Sequence, residues 1–125
     1  MDPITSAADA AARLPDAEYR RLCDETLAAI EASVDAWLQD DVIDIDAHRT
    51  GGLLELAFPG GSKIVINTQP PLQELWLAAR AGGYHFRWIE GRWCLPRSGE
   101  EFFALLSAQA SAQGGRLLSF TPPRG

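Results

Sequence analysis

The sequence predicts an α+β fold, a two-layer α/β sandwich in which two helices pack on one face of a five- to six-stranded antiparallel sheet. Apolar residues recur at helical spacing from Tyr19 to Trp37 and again after Phe102. Between these segments the apolar residues alternate with period two, which is typical of half-buried strands. Pairs of glycines punctuate this central part and favour tight reversals. Two amphipathic helices that flank a meander are expected to cover the same sheet face.

The first helix is predicted to start near Asp16, a candidate N-cap that follows Pro15. Its apolar stripe recurs at steps of three and four residues. The stripe consists of Tyr19, Leu22, Cys23, Thr26, Ile30, Val34 and Trp37. The Ala-rich residues before it, 1–15, are expected to form a flexible N-terminal leader.

The strands are predicted from Leu54 to Phe58, across a Pro-Gly-Gly turn to 63–67, and from Leu72 to Ala79. Val42–Asp46 also alternates as a strand, and further strands are expected from Gly82 and from Arg92. Prolines 70 and 71 interrupt the series because proline lacks the backbone donor of a sheet ladder.

A second helix is predicted to open with a capping box, with Ser98 as N-cap and Glu101 at the third helical position. It is expected to end at Gly114-Gly115. We therefore predict a single domain over residues 16–113, followed by a C-terminal tail, 114–125, that is flexible or laid on the surface.

Length and composition restrict the class of protein. A chain of 125 residues with 46% hydrophobic residues suits one globular domain. No apolar run approaches the ~20 residues of a membrane span, and the first residues lack the pattern of a secretory signal. We expect a cytoplasmic protein without a membrane partner. Cys23 and Cys94 show no metal-binding spacing and are expected to be reduced and semi-buried.

The charge is distributed unevenly along the chain. Residues 16–46 hold ten acidic and two basic residues, a net charge of −8, whereas residues 47–125 hold five acidic and eight basic residues, a net charge of +3. A dense acidic face repels nucleic acid phosphates and attracts cations or basic protein surfaces. We therefore expect no nucleic acid partner.

The acidic residues fall into one array, here called the acidic ridge. On a helical wheel Asp24, Glu31 and Asp35 lie within about 40° of one another. The complete ridge is Asp24, Glu31, Asp35, Asp40, Asp41, Asp44 and Asp46. One interpretation is a solvated helix face plus an edge strand whose charges prevent aggregation. The other is a weak, multi-site binding surface for hard cations, which prefer carboxylate oxygens.

Trp76 marks a second candidate surface. Leu75 and Leu77 share the opposite strand face, so Trp76 points outward if they fill the core. An exposed tryptophan close to amide side chains is typical of a protein-binding hot spot. The candidate partner-binding residues are Asn67, Gln69, Gln73 and Trp76.

His85 lies between Tyr84 and Phe86 in a predicted strand, and His48 is the only other histidine. His85 is either a partly exposed strand histidine or a ligand for haem or iron. The sequence shows no Gly-rich phosphate loop, no nucleophile elbow and no Cys/His catalytic pair. These residues therefore indicate a binding module and give no catalytic residues.

Several motifs in a fixed order resemble the frataxin family, specifically its bacterial CyaY type. They are G-G-x-L-x-L-x-F-x-x-G-S-K-I-V-I-N-x-Q-x-P, then W-L-A, then G-G-Y-H-F, within residues 51–88. The resemblance extends over nearly the whole chain apart from its two ends. It implies the helix–sheet–helix sandwich and weak binding of Fe²⁺ and Fe³⁺ on the acidic ridge. It also implies an iron-linked regulator or donor that binds the cysteine desulfurase and the iron–sulfur scaffold protein.

The sequence departs from the family pattern at two places. Ala32 and Ala36 stand where relatives often carry a second acid, which thins the ridge. Glu74 stands at the position of a common glutamine, with Gln73 displaced by one residue. These changes bear on the strength of iron binding and on the identity of the partner of the sheet.

Three hypotheses follow. The first is a non-enzymatic, iron-responsive adaptor of iron–sulfur cluster assembly, expected to be a monomer. The second is a carrier of iron or haem that uses the ridge or His85. The third is an iron-oxidising storage protein, which would form oligomers when iron is added.

Overall fold

The computed structural model describes residues 13–124 and shows the two-layer sandwich that the sequence predicts. Its helices are α1 (Asp16–Gln39) and α2 (Phe102–Gly114). Its strands are β1 (Asp46–Thr50), β2 (Leu53–Ala57), β3 (Lys63–Gln69), β4 (Glu74–Ala79), β5 (Gly82–Ile89) and β6 (Arg92–Cys94). The strands form one antiparallel sheet in the order β1-β2-β3-β4-β5-β6, so each strand pairs with its neighbour in sequence.

The core lies between the helices and one face of the sheet. Alternate strand residues, among them Leu54, Ile66, Leu77 and Phe86, are at most 1% exposed, and the residues between them face the opposite side. Burial of each such side chain contributes roughly 1.5–3 kcal/mol. The opposite face of the sheet carries no helix in the described part of the chain. Residues that alternate with the core positions are therefore left on an open surface.

Two strand boundaries differ from the sequence prediction. Val42–Ile45 is a connection and not a strand, and β1 begins only at Asp46. Ile45 is nevertheless 3% exposed between two exposed aspartates, so the alternation correctly gave the side-chain directions. Leu72 belongs to a 3₁₀ turn, Pro70–Leu72, and β4 starts at Glu74.

The helix starts also differ. Asp16 is the first residue of α1 and not its N-cap; the N-cap is Pro15, which forms no side-chain cap. In α2 the N-cap is Glu101, whose carboxylate accepts hydrogen bonds from the N–H groups of Phe103 and Ala104, both at 2.9 Å. Ser98 is not the cap. Its hydroxyl accepts from the N–H of Glu100, because the chain turns at Gly99 (φ +77°) before the helix begins.

The two ends of the described chain pack on the domain. Most of the predicted leader, residues 1–12, lies outside the described residues, whereas Leu14 packs against the core. In the predicted tail, Leu118 and Phe120 are 3% and 4% exposed, and Phe120 contacts Trp37 edge to face with ring centroids 4.7 Å apart. The sequence suggested a flexible or surface-laid end, but residues 118–120 complete the core beside both helices.

Candidate functional sites: an acidic ridge and a sheet-face patch

The acidic ridge follows α1 and the connection from α1 to β1. Asp24, Glu31 and Asp35 lie on one flank of α1, beside its buried stripe; Asp24 and Asp35 are exposed and Glu31 is half-buried. Asp40 is the C-cap of α1, and Asp41 adopts a left-handed conformation (φ +57°) in which aspartate is tolerated better than most residues. Asp44 and Asp46 are exposed on either side of the buried Ile45. The fold thus arranges the predicted residues along one edge of the molecule.

Arg49 forms ion pairs with two acidic-ridge residues of α1. Its guanidinium forms two hydrogen bonds with Glu31 (Nη2–Oε1 2.7 Å, Nε–Oε2 3.4 Å) and a third with Asp24 (Nη1–Oδ1 3.4 Å). Arg49 is opposite Leu54 in the sheet register, so it lies on the face that packs against the helices. The hydrogen bond with Glu31, followed by charge attraction, raises the pKa of Arg49.

Sequence reasoning missed Arg49 as a ridge residue. The alternation of β1 could have indicated it. Ala47 and Arg49 point to one face of the strand, and Asp46 and His48 point to the other. An arginine on the inward side of an edge strand needs a buried or half-buried counter-charge. The acids of the preceding helix are the nearest candidates in a two-layer fold.

The other five ridge acids have a different environment. Asp35, Asp40, Asp41, Asp44 and Asp46 are exposed, and none forms an ion pair within residues 13–124. The last turn of α1 contains no basic residue. A helix C-terminus carries a partial negative charge, so carboxylates there raise the negative potential. Arg116 reaches this region, but it donates to the backbone carbonyl of Val42 and not to a carboxylate.

The ridge is not a closed metal centre. Over residues 13–124, no three His, Cys, Asp or Glu side chains cluster closely enough to hold a metal ion. Cys23 lies on the buried side of α1, and burial raises the pKa of its thiol to about 11, which keeps it protonated at neutral pH. A thiol in that form is a poor metal ligand. Any cation at the ridge is therefore held by dispersed carboxylates.

A second surface lies on the open face of the sheet, here called the sheet-face patch: Leu53, Asn67, Glu74, Trp76, His85 and Arg87. Leu53, Asn67, Trp76 and His85 are successive cross-strand partners on β2, β3, β4 and β5. Trp76 therefore points outward, while Leu75 and Leu77 fill the core, as the sequence argument required.

Glu74 fixes the aromatic part of the sheet-face patch. The indole Nε1 of Trp76 donates to Glu74 Oε1 at 2.8 Å, and Arg87 Nε lies 3.5 Å from Glu74 Oε2. The His85 ring stacks on the indole with centroids 4.0 Å apart and an interplanar angle of 5°. Stacking and the hydrogen bond hold Trp76 in one rotamer, which reduces the entropy lost when a partner binds. Glu74, noted only as a departure from the family pattern, is thus part of this arrangement.

Gln73 does not belong to the sheet-face patch, which corrects the sequence prediction. It is 5% exposed, its Oε1 accepts from the N–H of Leu14 (2.8 Å), and its Nε2 donates to the carbonyl of Leu14 (2.6 Å). A left-handed backbone at Gln73 (φ +52°) ends the 3₁₀ turn and directs the side chain away from the open sheet face.

Gln69 is half-buried beside the patch, and its N–H donates to the hydroxyl of Tyr19 at 3.0 Å. The same hydroxyl donates to the carbonyl of Glu74 at 2.6 Å, which joins the start of α1 to the ends of β3 and β4.

The two histidines are far apart in the sheet order. His85 is on β5, with 56% of its side chain exposed, and His48 is on the edge strand β1 opposite Glu55. Three strands separate β1 from β5, so the two imidazoles do not share a ligand site. His85 remains a candidate haem ligand only as a single imidazole on an open surface.

An open six-stranded antiparallel sheet with two helices on one face defines the class of fold, and comparisons with known proteins define the family. The family model for the frataxin-like domain (Frataxin_Cyay) matches residues 12–116. The iron-sulfur cluster assembly proteins CyaY of Burkholderia mallei (strain SAVP1) and Burkholderia pseudomallei (strain K96243) are each 46% identical over 108 residues, 86% of this chain and 99% of theirs. The chain therefore belongs to the frataxin family, and these relatives are of its bacterial CyaY type.

Solved structures agree with this assignment. Frataxin from Psychromonas ingrahamii superimposes with a TM-score of 0.75 at 34% identity, covering 86% of this chain and 99% of that one. Trimeric frataxin from Saccharomyces cerevisiae, complexed with ferrous iron, gives a TM-score of 0.63 at 26% identity over 75% of this chain and 86% of that one. No helix within residues 13–124 is long and apolar enough to span a membrane.

Proposed function

We propose that this protein binds iron weakly at the acidic ridge and acts in iron–sulfur cluster assembly as a non-enzymatic regulator or donor. The observation that carries the proposal is the run of exposed carboxylates at the C-terminal end of α1 and in the α1–β1 connection. The CyaY relatives, which are named for iron–sulfur cluster assembly, support it.

The physical argument concerns charge at a helix terminus. Five carboxylates repel one another there, and the helix dipole adds to their potential. A bound Fe²⁺ ion offsets this repulsion, and its preference for oxygen ligands suits exposed carboxylates. Because few ligands converge on one point, affinity is expected to be weak and several ions are expected to bind.

The proposed partners are a cysteine desulfurase and an iron–sulfur scaffold protein. The acidic ridge suits a basic surface of the desulfurase, and such an interface weakens as salt screens the charges. The sheet-face patch, with a preorganised Trp76, suits the second contact. We expect a cytoplasmic protein that is monomeric without iron.

A ¹⁵N-HSQC titration with Fe²⁺ under anaerobic conditions tests the metal site. We expect paramagnetic loss of amide signals confined to the ridge, strongest at Asp35, Asp40, Asp41, Asp44 and Asp46. The matched control is a variant in which Asp40, Asp41 and Asp44 are replaced by asparagine, which should reduce the loss while preserving spectral dispersion. Signal loss elsewhere, with the ridge amides intact, would contradict the proposal.

Pull-down with the purified desulfurase and scaffold protein tests the partner surfaces. Trp76→Ala is expected to weaken binding at least tenfold, since tryptophan hot spots contribute ~2 kcal/mol or more. Leu117→Ala, which alters a side chain that is 92% exposed outside the sheet-face patch, is the control and should bind normally. Equal binding by both variants would exclude the patch.

Haem carriage is the second candidate, and the half-exposed imidazole of His85 is the observation that favours it. Haem binding should then give a red-shifted visible spectrum that is lost in His85→Ala. Iron storage is the third candidate, and the observation that favours it is that the yeast relative complexed with ferrous iron is trimeric. Size-exclusion chromatography that finds only monomer at high iron would eliminate it.

A further inference from the structure

We infer that Arg49 is an internal counter-cation that closes the α1 part of the acidic ridge to metal ions. Iron is thereby confined to the α1 C-terminus and the α1–β1 connection. This inference rests on the proposed iron binding and specifies which of the seven predicted carboxylates are available for it.

The contacts of Arg49 show that a cation already occupies this part of the ridge. The guanidinium engages both carboxylate oxygens of Glu31 and one oxygen of Asp24, at distances of 2.7 to 3.4 Å. At Glu31 a planar fork of this kind matches carboxylate geometry and engages both oxygens that a metal ion would use. Asp24, whose side chain is 78% exposed, has one longer contact and is guarded mainly by the charge of the guanidinium. A metal at Glu31 must therefore displace the guanidinium.

Displacement is opposed because Arg49 is fixed in place and permanently charged. Arginine does not deprotonate in proteins, so no change of pH within the folded range removes it. Its backbone belongs to β1, which is paired with β2 at five positions, so the guanidinium is present at high effective concentration. The Arg49 and Glu31 side chains are 27% and 33% exposed, and a half-buried pair is screened less than a surface pair.

The remaining acids lack an equivalent cation. Within residues 13–124 no basic side chain pairs with Asp35, Asp40, Asp41, Asp44 or Asp46. Arg116 reaches this region, but its contact is made to the carbonyl of Val42. Arg49 thus divides the ridge into an occupied and an available part.

The test is the anaerobic Fe²⁺ titration by ¹⁵N-HSQC on wild type, Arg49→Gln and Arg49→Lys. In wild type, signal loss should be centred on residues 35–46 and should spare Asp24, which lies eleven residues, about 16 Å, from Asp35 along α1. In Arg49→Gln it should extend to Asp24 and Glu31, with an apparent affinity roughly five- to tenfold higher, as expected for removing a unit charge a few ångströms from a divalent ion. Arg49→Lys keeps the charge but loses the fork, so it should show a smaller extension.

Arg21→Gln is the matched control. Arg21 also bridges two glutamates on α1, Glu18 and Glu25, and its removal changes the net charge by the same amount. It lies ten residues, about 15 Å, from Glu31, beyond the Debye length at physiological salt. Arg21→Gln should therefore leave the response of the Glu31 signal to iron as it is in wild type.

The outcomes separate the inference from the proposed function. Signal loss at Asp24 in wild type, or no extension in either Arg49 variant, overturns the inference whether or not residues 35–46 respond. No response in wild type, with a response at Asp24 and Glu31 in Arg49→Gln, overturns the proposed function and supports the role of Arg49.

Discussion

At the scale of single residues, Gln73 has a structural role in place of the binding role that its sequence position suggested. Its amide pairs with both backbone groups of Leu14 and so attaches the start of α1 to the turn before β4. The contact spans 59 residues of sequence. A buried amide with both its donor and its acceptor satisfied is more stable than a half-satisfied one, so the two bonds depend on each other.

Gln73→Ala is therefore expected to lower the free energy of unfolding by about 2 kcal/mol, because two partly buried backbone groups lose their partners. Urea denaturation measures this change. Gln69→Ala is the control, since no hydrogen bond of the Gln69 side chain occurs within the described residues, and it should stay within about 0.5 kcal/mol of wild type. A Gln73→Ala protein as stable as the control would show that the contact is not stabilising.

Residue-level prediction succeeded where strand parity decides the side-chain direction. Leu75 and Leu77 identified the core face, and Trp76 therefore pointed outward. It failed where the partner is distant in sequence. No local sequence pattern predicts the Arg49–Glu31 pair or the Gln73–Leu14 pair. Both pairs depend on how α1 packs on the sheet.

At the scale of elements, the start of α2 shows a capping motif in the sequence that does not form in the structure. Ser98 and Glu101 have the spacing of a capping box. The chain instead turns between Leu95 and Glu100, with hydrogen bonds from Leu95 N to Glu100 O and from Gly99 N to Leu95 O. That turn delays the helix by three residues and makes Glu101 the cap. The sequence correctly gave the existence of α2 but not its first residue.

Glu101→Ala is expected to lower the free energy of unfolding by about 1 kcal/mol, the usual cost of losing an N-cap acceptor. Ser98→Ala should change it by less than about 0.5 kcal/mol, because the Ser98 hydroxyl accepts one exposed hydrogen bond outside the helix. Thermal or urea unfolding of the two variants side by side measures both values. A larger loss of stability in Ser98→Ala than in Glu101→Ala would identify Ser98 as the N-cap.

At the scale of the whole molecule, the segment after α2 joins the two helices. The N–H of Phe120 donates to Ser107 of α2 at 2.9 Å, and the N–H of Thr121 donates to Ser33 of α1 at 3.2 Å. In the same segment the apolar side chains of Leu118 and Phe120 enter the core. Composition suggested a tail because of its prolines, and the short alternation Leu118-Ser119-Phe120 was too brief to indicate burial.

Leu118→Ala is expected to lower the free energy of unfolding by about 3 kcal/mol, the cost of a cavity in a packed core. The adjacent Leu117 is 92% exposed, so Leu117→Ala should remain within about 0.5 kcal/mol of wild type. Chemical denaturation of this neighbouring pair measures the difference. Two equally mild variants would mean that the segment does not pack as described.

The overall architecture was predictable because its determinants are local. Short reversals, two of them at the glycine pairs 51–52 and 60–61, and alternating apolar residues make every strand pair with its sequence neighbour, so the order of the sheet follows the order of the chain. The third pair, Gly82-Gly83, lies at the start of β5 and not in a reversal. The two candidate surfaces follow from the same pattern, one from the outer face of α1 and one from the open face of the sheet. Which ridge acids are paired required the three-dimensional arrangement.

The hydrogen bonds of the Tyr19 hydroxyl set the rate at which one backbone amide exchanges with solvent. It accepts the amide proton of Gln69 while donating to the carbonyl of Glu74, so this amide loses its hydrogen-bond acceptor whenever the start of α1 lifts from the sheet. Deuterium uptake at Gln69 therefore reports the opening of the interface between the layers, at the end of the sheet next to Trp76. A partner that binds Trp76 only when the helix is seated should slow that exchange, and one that pries the layers apart should accelerate it.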